Sequence, residues 1–256
     1  MLLVVDIGNT NITLGVYRGE DLIGNWRLGT EPERLADEYG VLIPGLLAHA
    51  GIQPLDLQGV ALASVVPPLT RVFEQFCHSY VRIEPLVVDA GTKTGVRIRY
   101  DNPREVGADR VVDAAAVQHL YGGPACVVDF GTATTFDAIS ADGDYLGGAI
   151  APGIQIAAEA LTRRTAKLPR VDLVRPPRTI GTNTVHSIQS GLWFGYIGLV
   201  EGMVARFKAE LGGRCKVVAT GGLAELIASE TSVIEIVDPW LTLKGLRLIY
   251  QLNTPG

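Results

Sequence analysis

Cysteine is scarce: Cys77, Cys126 and Cys215 are the only three in 256 residues, an odd number at wide and irregular spacing. That excludes a disulfide framework and a cysteine-based metal site, since both need paired or closely spaced thiols. Cys126 and Cys215 stand inside apolar, strand-like runs and read as small buried hydrophobes. Basic charge is short as well. With 22 Lys and Arg against 27 Asp and Glu the net charge is −5, which argues against nonspecific nucleic-acid binding, because that needs clustered cations on phosphates. Long hydrophobic runs are missing too. The longest, GLWFGYIGLV from Gly191 to Val200, stops at Glu201, well short of the roughly 20 residues that cross a bilayer. The opening MLLVVDIGNT has no basic segment ahead of its apolar run and soon reaches Asp6. That is unlike a secretory leader, so the expectation is a cytoplasmic protein with no membrane and no nucleic acid among its partners.

What is present is an ordinary globular composition, 47% apolar and 19% charged, enough for one compact unit or two smaller lobes with a large core. Within it one phrase is spelled twice. VVDIGNTNIT occupies residues 4–13 and VVDFGTATTF residues 127–136. Around the first copy, LLVVD, NITLGVY and LIGNWRL predict three short strands in an antiparallel meander. A helix follows from Glu33 to Ala50, kinked or divided by Pro44. Then come the buried strand GVALASVV, the proline-opened helix PPLTRVFEQFCHSYV, the strand EPLVVD and the helix DRVVDAAAVQHLY. Around the second copy the meander is rebuilt by TTFDAIS and YLGGAIAP. It leads into a helix beginning GIQIAAEALTRR, a long helix from about Thr184 to Leu211, the strand CKVVAT, the helix LAELIAS, the strand VIEIV and a terminal helix from about Leu241 to Leu252. The reading is an internal duplication, with mixed sheets flanked by helices. Its boundary falls near Gly122 to Pro124, giving lobes at 1–122 and 123–256, and with no low-complexity linker the lobes are expected to pack and hinge.

The repeated phrase carries chemistry. A strand that ends in Asp and turns on Gly brings a carboxylate to its carboxyl end and lets the backbone approach an anion without a Cβ in the way. Asn9, Thr10 and Asn11 follow in the first copy, Thr132 and Thr134 in the second, all able to donate hydrogen bonds. Phosphate held by both loops is the expectation. Asp6 and Asp129 cannot touch phosphate directly, because like charges repel, so they act through a cation or its waters. Two further glycine turns, GGAIAPG from Gly147 to Gly153 and ATGG at 219–222, end strands and open helices. Gly221 and Gly222 offer a flat backbone on which a base or ribose could lie.

Twin loops of this kind on duplicated meanders, with TGG near the carboxyl end, resemble the actin, Hsp70 and sugar-kinase superfamily of ATP-binding folds. More narrowly, DIGNTN, GADRVVDAAA, DFGTATTFD, GGAIAPG, RRTAKLP, IGTNTVHSIQSG and ATGG stand in the order expected of type III pantothenate kinases, across almost the whole chain. The resemblance implies an α/β fold of two RNase H-like, actin-like lobes. It also implies transfer of a phosphoryl group from ATP to the primary hydroxyl of pantothenate, the first committed step towards coenzyme A. Other small-molecule kinases or phosphatases on the same scaffold, and a nucleotide-responsive regulator without turnover, are the alternatives; GADR speaks against the last.

The resemblance also assigns residues. Asp6, Ile7, Gly8, Asn9, Thr10, Asn11, Ile12, Thr13 and Thr132 would bind ATP, with Asp6 holding Mg²⁺ through water. Asp129 would bind a monovalent cation, K⁺ or NH₄⁺. Tyr100, Gly107, Ala108, Asp109 and Arg110 would line the pantothenate site, with Thr184 reaching it from the same subunit or a dimer mate. Asp109 would be the general base. Carboxylates are weak bases at neutral pH, yet phosphoryl transfer passes through a loose transition state, so orienting the hydroxyl matters more than removing its proton. Read without the resemblance, Asp109 is a helix N-cap, Arg110 a surface ion-pair partner and Thr184 a cap. Asp113 and Asp137 read as structural acids and His186 as an ordinary helix residue. A homodimer is expected from the family. Gly191, Gly195, Gly198 and Gly202 fall on one helix face, where either a helix of the same chain or a second copy could repay their cost of about 1 kcal/mol each against Ala.

Overall fold

In the computed structural model, which describes residues 1–254, LLVVDI forms a strand whose residues Leu3, Val4, Val5 and Ile7 are all fully buried. A strand apolar on both faces belongs at the centre of a sheet. This strand, β1 (Leu2–Ile7), has β2 (Asn11–Arg18) antiparallel on one side and β4 (Gly59–Ser64) parallel on the other. β3 (Asp21–Gly29) continues the meander and β5 (Leu86–Val87) extends the parallel side, so the order is β3-β2-β1-β4-β5. The second sheet repeats this strand for strand. β6 (Ala125–Phe130) stands at its centre, with the meander β7 (Ala133–Ile139) and β8 (Tyr145–Pro152) on one side and parallel β9 (Lys216–Thr220) and β10 (Ile236–Val237) on the other. The duplication read from two short phrases is therefore a duplication of topology.

Contacts divide the chain into two compact units. In the first, α1 (Ala36–His49) and α2 (Pro67–Phe76) bury Tyr39, Ile43, Leu47, Leu69, Phe73 and Phe76 against Leu3, Val5, Ile7, Ile12, Leu14 and Val16 of the sheet. Each fully buried side chain of this kind stabilises by about 1.5–3 kcal/mol. α1 runs through Pro44 as one helix where the sequence predicts a kink or a division. α3 (Ala108–Leu120) completes the run to Tyr121, and the terminal helix α7 (Leu241–Asn253) belongs to this unit although it follows the second in sequence. It packs on α3 at Gly245, where a Cβ would collide with the carbonyl of Val112.

The second unit spans Gly122–Trp240. α5 (Thr184–Glu210) lays Leu192, Tyr196, Val200 and Val204 over Cys126, Val128, Phe130, Phe136, Val217 and Ala219. α4 (Ile154–Arg164) and the short α6 (Ala224–Ala228) add Ile154, Ala224 and Ile227. All three cysteines lie in these cores. Burial raises the pKa of each thiol, that of Cys77 to about 12, so they pack as neutral hydrophobes. Among the described residues no helix is long and apolar enough to cross a membrane.

Candidate active site

The first loop is a tight hairpin. Gly8 N–H donates to the Asn11 carbonyl at 3.0 Å, which closes the β1–β2 turn and leaves Asn9, Thr10 and Asn11 exposed. Ile7 and Ile12 face each other across the ladder with both side chains fully buried. They anchor the turn in the core and offer a ligand only their backbone. Asp6 stands opposite Thr13 in the same ladder and beside Ala63 of β4. A residue outside the repeated phrase locks the loop. Thr30, just past β3, donates its hydroxyl to the Gly8 carbonyl at 2.7 Å and its N–H to the Thr10 carbonyl at 3.0 Å.

In the second loop Asp129 stands opposite Thr135 of β7 and beside Thr220 of β9. Its carboxylate lies against Gly221, whose φ of +90° admits glycine readily and where a Cβ would strike Oδ1. Gly221 therefore gives up its space to Asp129. That is a different reason for the glycine than a resting place for a base. Thr132 is exposed, and its carbonyl accepts from Gly153 N–H at 3.2 Å, so Gly153 braces this hairpin as Thr30 braces the first. Thr134 faces inward. It is fully buried and hydrogen-bonded to the Tyr196 hydroxyl on the core side of the sheet. Burial is the main cause of the raised pKa of Tyr196; the Thr134 bond opposes it, and the charge of Asp129 adds to it. On the opposite face, Asp137 is 1% exposed and accepts from Tyr145 Oη at 2.8 Å and from Thr135 Oγ1 at 2.9 Å.

The residues read as an acceptor site gather at the start of α3. Gly107 is its N-cap, which puts Asp109 in the first turn and not at the cap. The Asp109 carboxylate accepts from Arg110 N–H at 2.8 Å, and a Cβ on Gly107 would lie 2.5 Å from Asp109 Oδ1. Gly107 thus makes room for the carboxylate. Arg110 is buried, 8% exposed, and is not the surface ion-pair partner that spacing alone would make it. Tyr100 is half-buried in the segment leading to this turn. In the second unit, the N-cap of α5 is Asn183, whose Oδ1 accepts from His186 N–H at 2.9 Å. Thr184 is relieved of the capping role and lies exposed on a pocket of about 570 Å³ with Leu161, Leu168 and Ser187.

Among the described residues no group of three or more His, Cys, Asp and Glu side chains could hold a metal ion. A divalent ion here would take most of its ligands from phosphate oxygens and water, with isolated carboxylates alongside, which is how ions that accompany nucleotides are held.

Two mixed sheets of one strand order, each ending its central strand in an Asp-x-Gly hairpin, define a duplicated, actin-like ATPase and kinase fold. The chain belongs to the type III pantothenate kinase family, whose sequence pattern matches residues 2–206. A type III pantothenate kinase of Roseiflexus castenholzii is 58% identical over 253 residues, covering 99% of both chains. Among solved structures, a ROK hexokinase from Thermus thermophilus superposes with a TM-score of 0.51 at 15% identity, with 97% of each chain covered. A protein described as a Baf family transcriptional activator, from Campylobacter jejuni, superposes with a TM-score of 0.62 at 20% identity over 98% of each chain. At such identities the two likenesses concern the fold alone. With the family comes the activity: phosphorylation of pantothenate in coenzyme A biosynthesis, using ATP and a divalent metal ion.

Proposed function

We propose that this kinase carries out its reaction with Asp109 as the group that orients, and as general base receives the proton of, the primary hydroxyl of pantothenate. The product is 4′-phosphopantothenate. Tyr100, Gly107, Ala108 and Arg110 hold the substrate with it, and Thr184 adds a contact from the same subunit or from a dimer mate. Asp6 to Thr13 bind ATP, Ile7 and Ile12 through their backbone, and Thr132 contacts a phosphate. The metal ion is Mg²⁺, reached by Asp6 through water, and Asp129 binds a monovalent cation, K⁺ or NH₄⁺. The observation that carries the reading is the Asp109 carboxylate, fixed in the first turn of α3 by Arg110 N–H beside a glycine that leaves it space. The positive end of a helix dipole favours the ionised form there, and a fixed carboxylate is what orientation of a hydroxyl requires.

The enzyme works as a homodimer in the cytoplasm, without nucleic acid or membrane as a partner. Support for the dimer comes from α5. Gly191, Gly195 and Gly198 are exposed, and a Cβ built on any of them meets nothing within 4 Å, so packing inside the chain does not account for these glycines. The test of the function is a coupled ADP-release assay with and without pantothenate, in potassium and in sodium buffer. Release that requires pantothenate and is faster in potassium is expected; release indifferent to pantothenate in both buffers would refute the assignment.

A further inference from the structure

The two halves repeat each other's backbone but not each other's chemistry behind the loop aspartates. In the second unit Asp129 is flanked in register by Thr135 and Thr220, and Thr135 is followed on the same strand face by Asp137. The corresponding positions of the first unit, read from the same register about Asp6, are Thr13, Ala63 and Gly15. Tyr145, opposite Ile139, corresponds to Leu22, opposite Tyr17. One half therefore carries a threonine, a buried carboxylate and a tyrosine hydroxyl where the other carries a glycine and a leucine behind its threonine. The repeated backbone does not by itself require the Thr–Asp–Tyr set, since the first sheet forms without it.

We propose that Thr135 is a further ligand of the monovalent cation assigned above to Asp129, with Asp137 and Tyr145 as positioning residues. The inference rests on that assignment. A threonine hydroxyl has one proton and two lone pairs. Thr135 gives its proton to Asp137 Oδ2 at 2.9 Å, while Tyr145 gives its own to Oδ1 at 2.8 Å. With its proton committed, Thr135 can offer Asp129's side of the ladder only lone pairs. Asp129 and Thr135 are directly opposed, and Cβ atoms of such pairs lie about 4.5–5.5 Å apart, so a charged and a neutral acceptor start side by side on one face of the sheet. Potassium-like ions are bound by such sets of oxygens, in which neutral ones replace the hydration shell. Asp137 plays the part that outer carboxylates play at metal sites, turning the ligand the right way.

The test is thermal melting of the full-length protein, with a non-hydrolysable ATP analogue present, titrated with potassium chloride against choline chloride at constant ionic strength. Wild type is expected to gain stability with potassium at a defined half-saturating concentration, and Asp129→Asn to lose that response. Thr135→Val is expected to raise the half-saturating concentration about ten- to hundredfold, as is Asp137→Asn, with Thr135→Ser restoring it. Thallium(I) binding followed by its NMR signal gives the same comparison without a folding readout. If Asp129→Asn abolishes the response while Thr135→Val and Asp137→Asn keep the wild-type half-saturation, Thr135 is structural and the inference falls while the Asp129 assignment stands. A wild-type protein indifferent to potassium would overturn the assignment and the inference with it.

Discussion

Thr242, in the first turn of the terminal helix, donates its hydroxyl to the carboxylate of Asp113 at 2.7 Å, tying the last helix of the chain to the helix that carries Asp109 and Arg110. Asp113 is 3% exposed, one turn beyond Asp109. Asp113 thus has a structural task, and it explains why the terminal helix belongs with the first unit. Replacing Thr242 by Val takes a donor from a buried carboxyl group, which costs about 1–3 kcal/mol. Calorimetry of Thr242→Val is expected to show a lower melting temperature with a smaller change in kcat than any substitution at Asp109; an unchanged melting temperature would show the bond to be dispensable.

Asp109 gives the sharper functional prediction. Asp109→Asn keeps an oxygen able to accept from Arg110 N–H and keeps the volume beside Gly107, so the turn is expected to stay folded. What it loses is the charge and the basicity offered to the acceptor hydroxyl. Loss of a positioned general base reduces rate by about 10²–10⁴-fold. Steady-state kinetics are expected to show that loss in kcat, while nucleotide affinity measured by calorimetry changes little. A variant with near wild-type kcat would remove Asp109 from the reaction.

Thr30 is expected to act through the first hairpin, proposed above to bind ATP, without touching the nucleotide. Its two hydrogen bonds to the carbonyls of Gly8 and Thr10 hold the hairpin in one shape. Thr30→Val keeps the backbone bond and the volume but loses the hydroxyl donor, a change of about 0.5–1.5 kcal/mol. Kinetics are expected to show KM for ATP raised several-fold with KM for pantothenate unchanged. Equal effects on both constants would point to general loosening of the unit instead.

Neither Thr30 nor the Tyr145–Asp137 bond could have been found from the repeated phrase, because Thr30 and Tyr145 act from outside it, at positions whose own neighbours in sequence say nothing about it. Local information is legible along the chain. Apolar runs flanked by turn residues gave the central strands, and the Asp-x-Gly repeats gave the duplication and its two hairpins. Elsewhere tertiary contacts decide. Pro44 did not divide α1, whose residues Tyr39, Ile43 and Leu47 are held in the core on both sides of it. EPLVVD and VIEIV shrank to the two-residue edge strands β5 and β10, since an edge strand has a partner on only one side. Thr134, a hydroxyl in the right phrase, points to the wrong face, because side chains alternate along a strand and its neighbours Ala133 and Thr135 share the other side.

The glycine face of α5 supplies the last prediction. Glycine inside a helix costs about 1 kcal/mol against alanine, and Gly191, Gly195 and Gly198 recur on one exposed face where, beyond the helix's own neighbouring backbone, nothing comes within 4 Å of the place a Cβ would occupy. Leucine at 195 therefore has room within the subunit and improves helix propensity, so a folded monomer of Gly195→Leu is expected to melt no lower than the wild-type monomer. Against a second subunit the added side chain fills the groove through which two backbones approach, costing about 2 kcal/mol or more of association if this is the seam. Sedimentation velocity across a dilution series is expected to show the variant dissociating at concentrations where wild type remains dimeric. Equal dissociation constants for the two proteins would place the dimer contact elsewhere and leave the glycines of α5 without a partner.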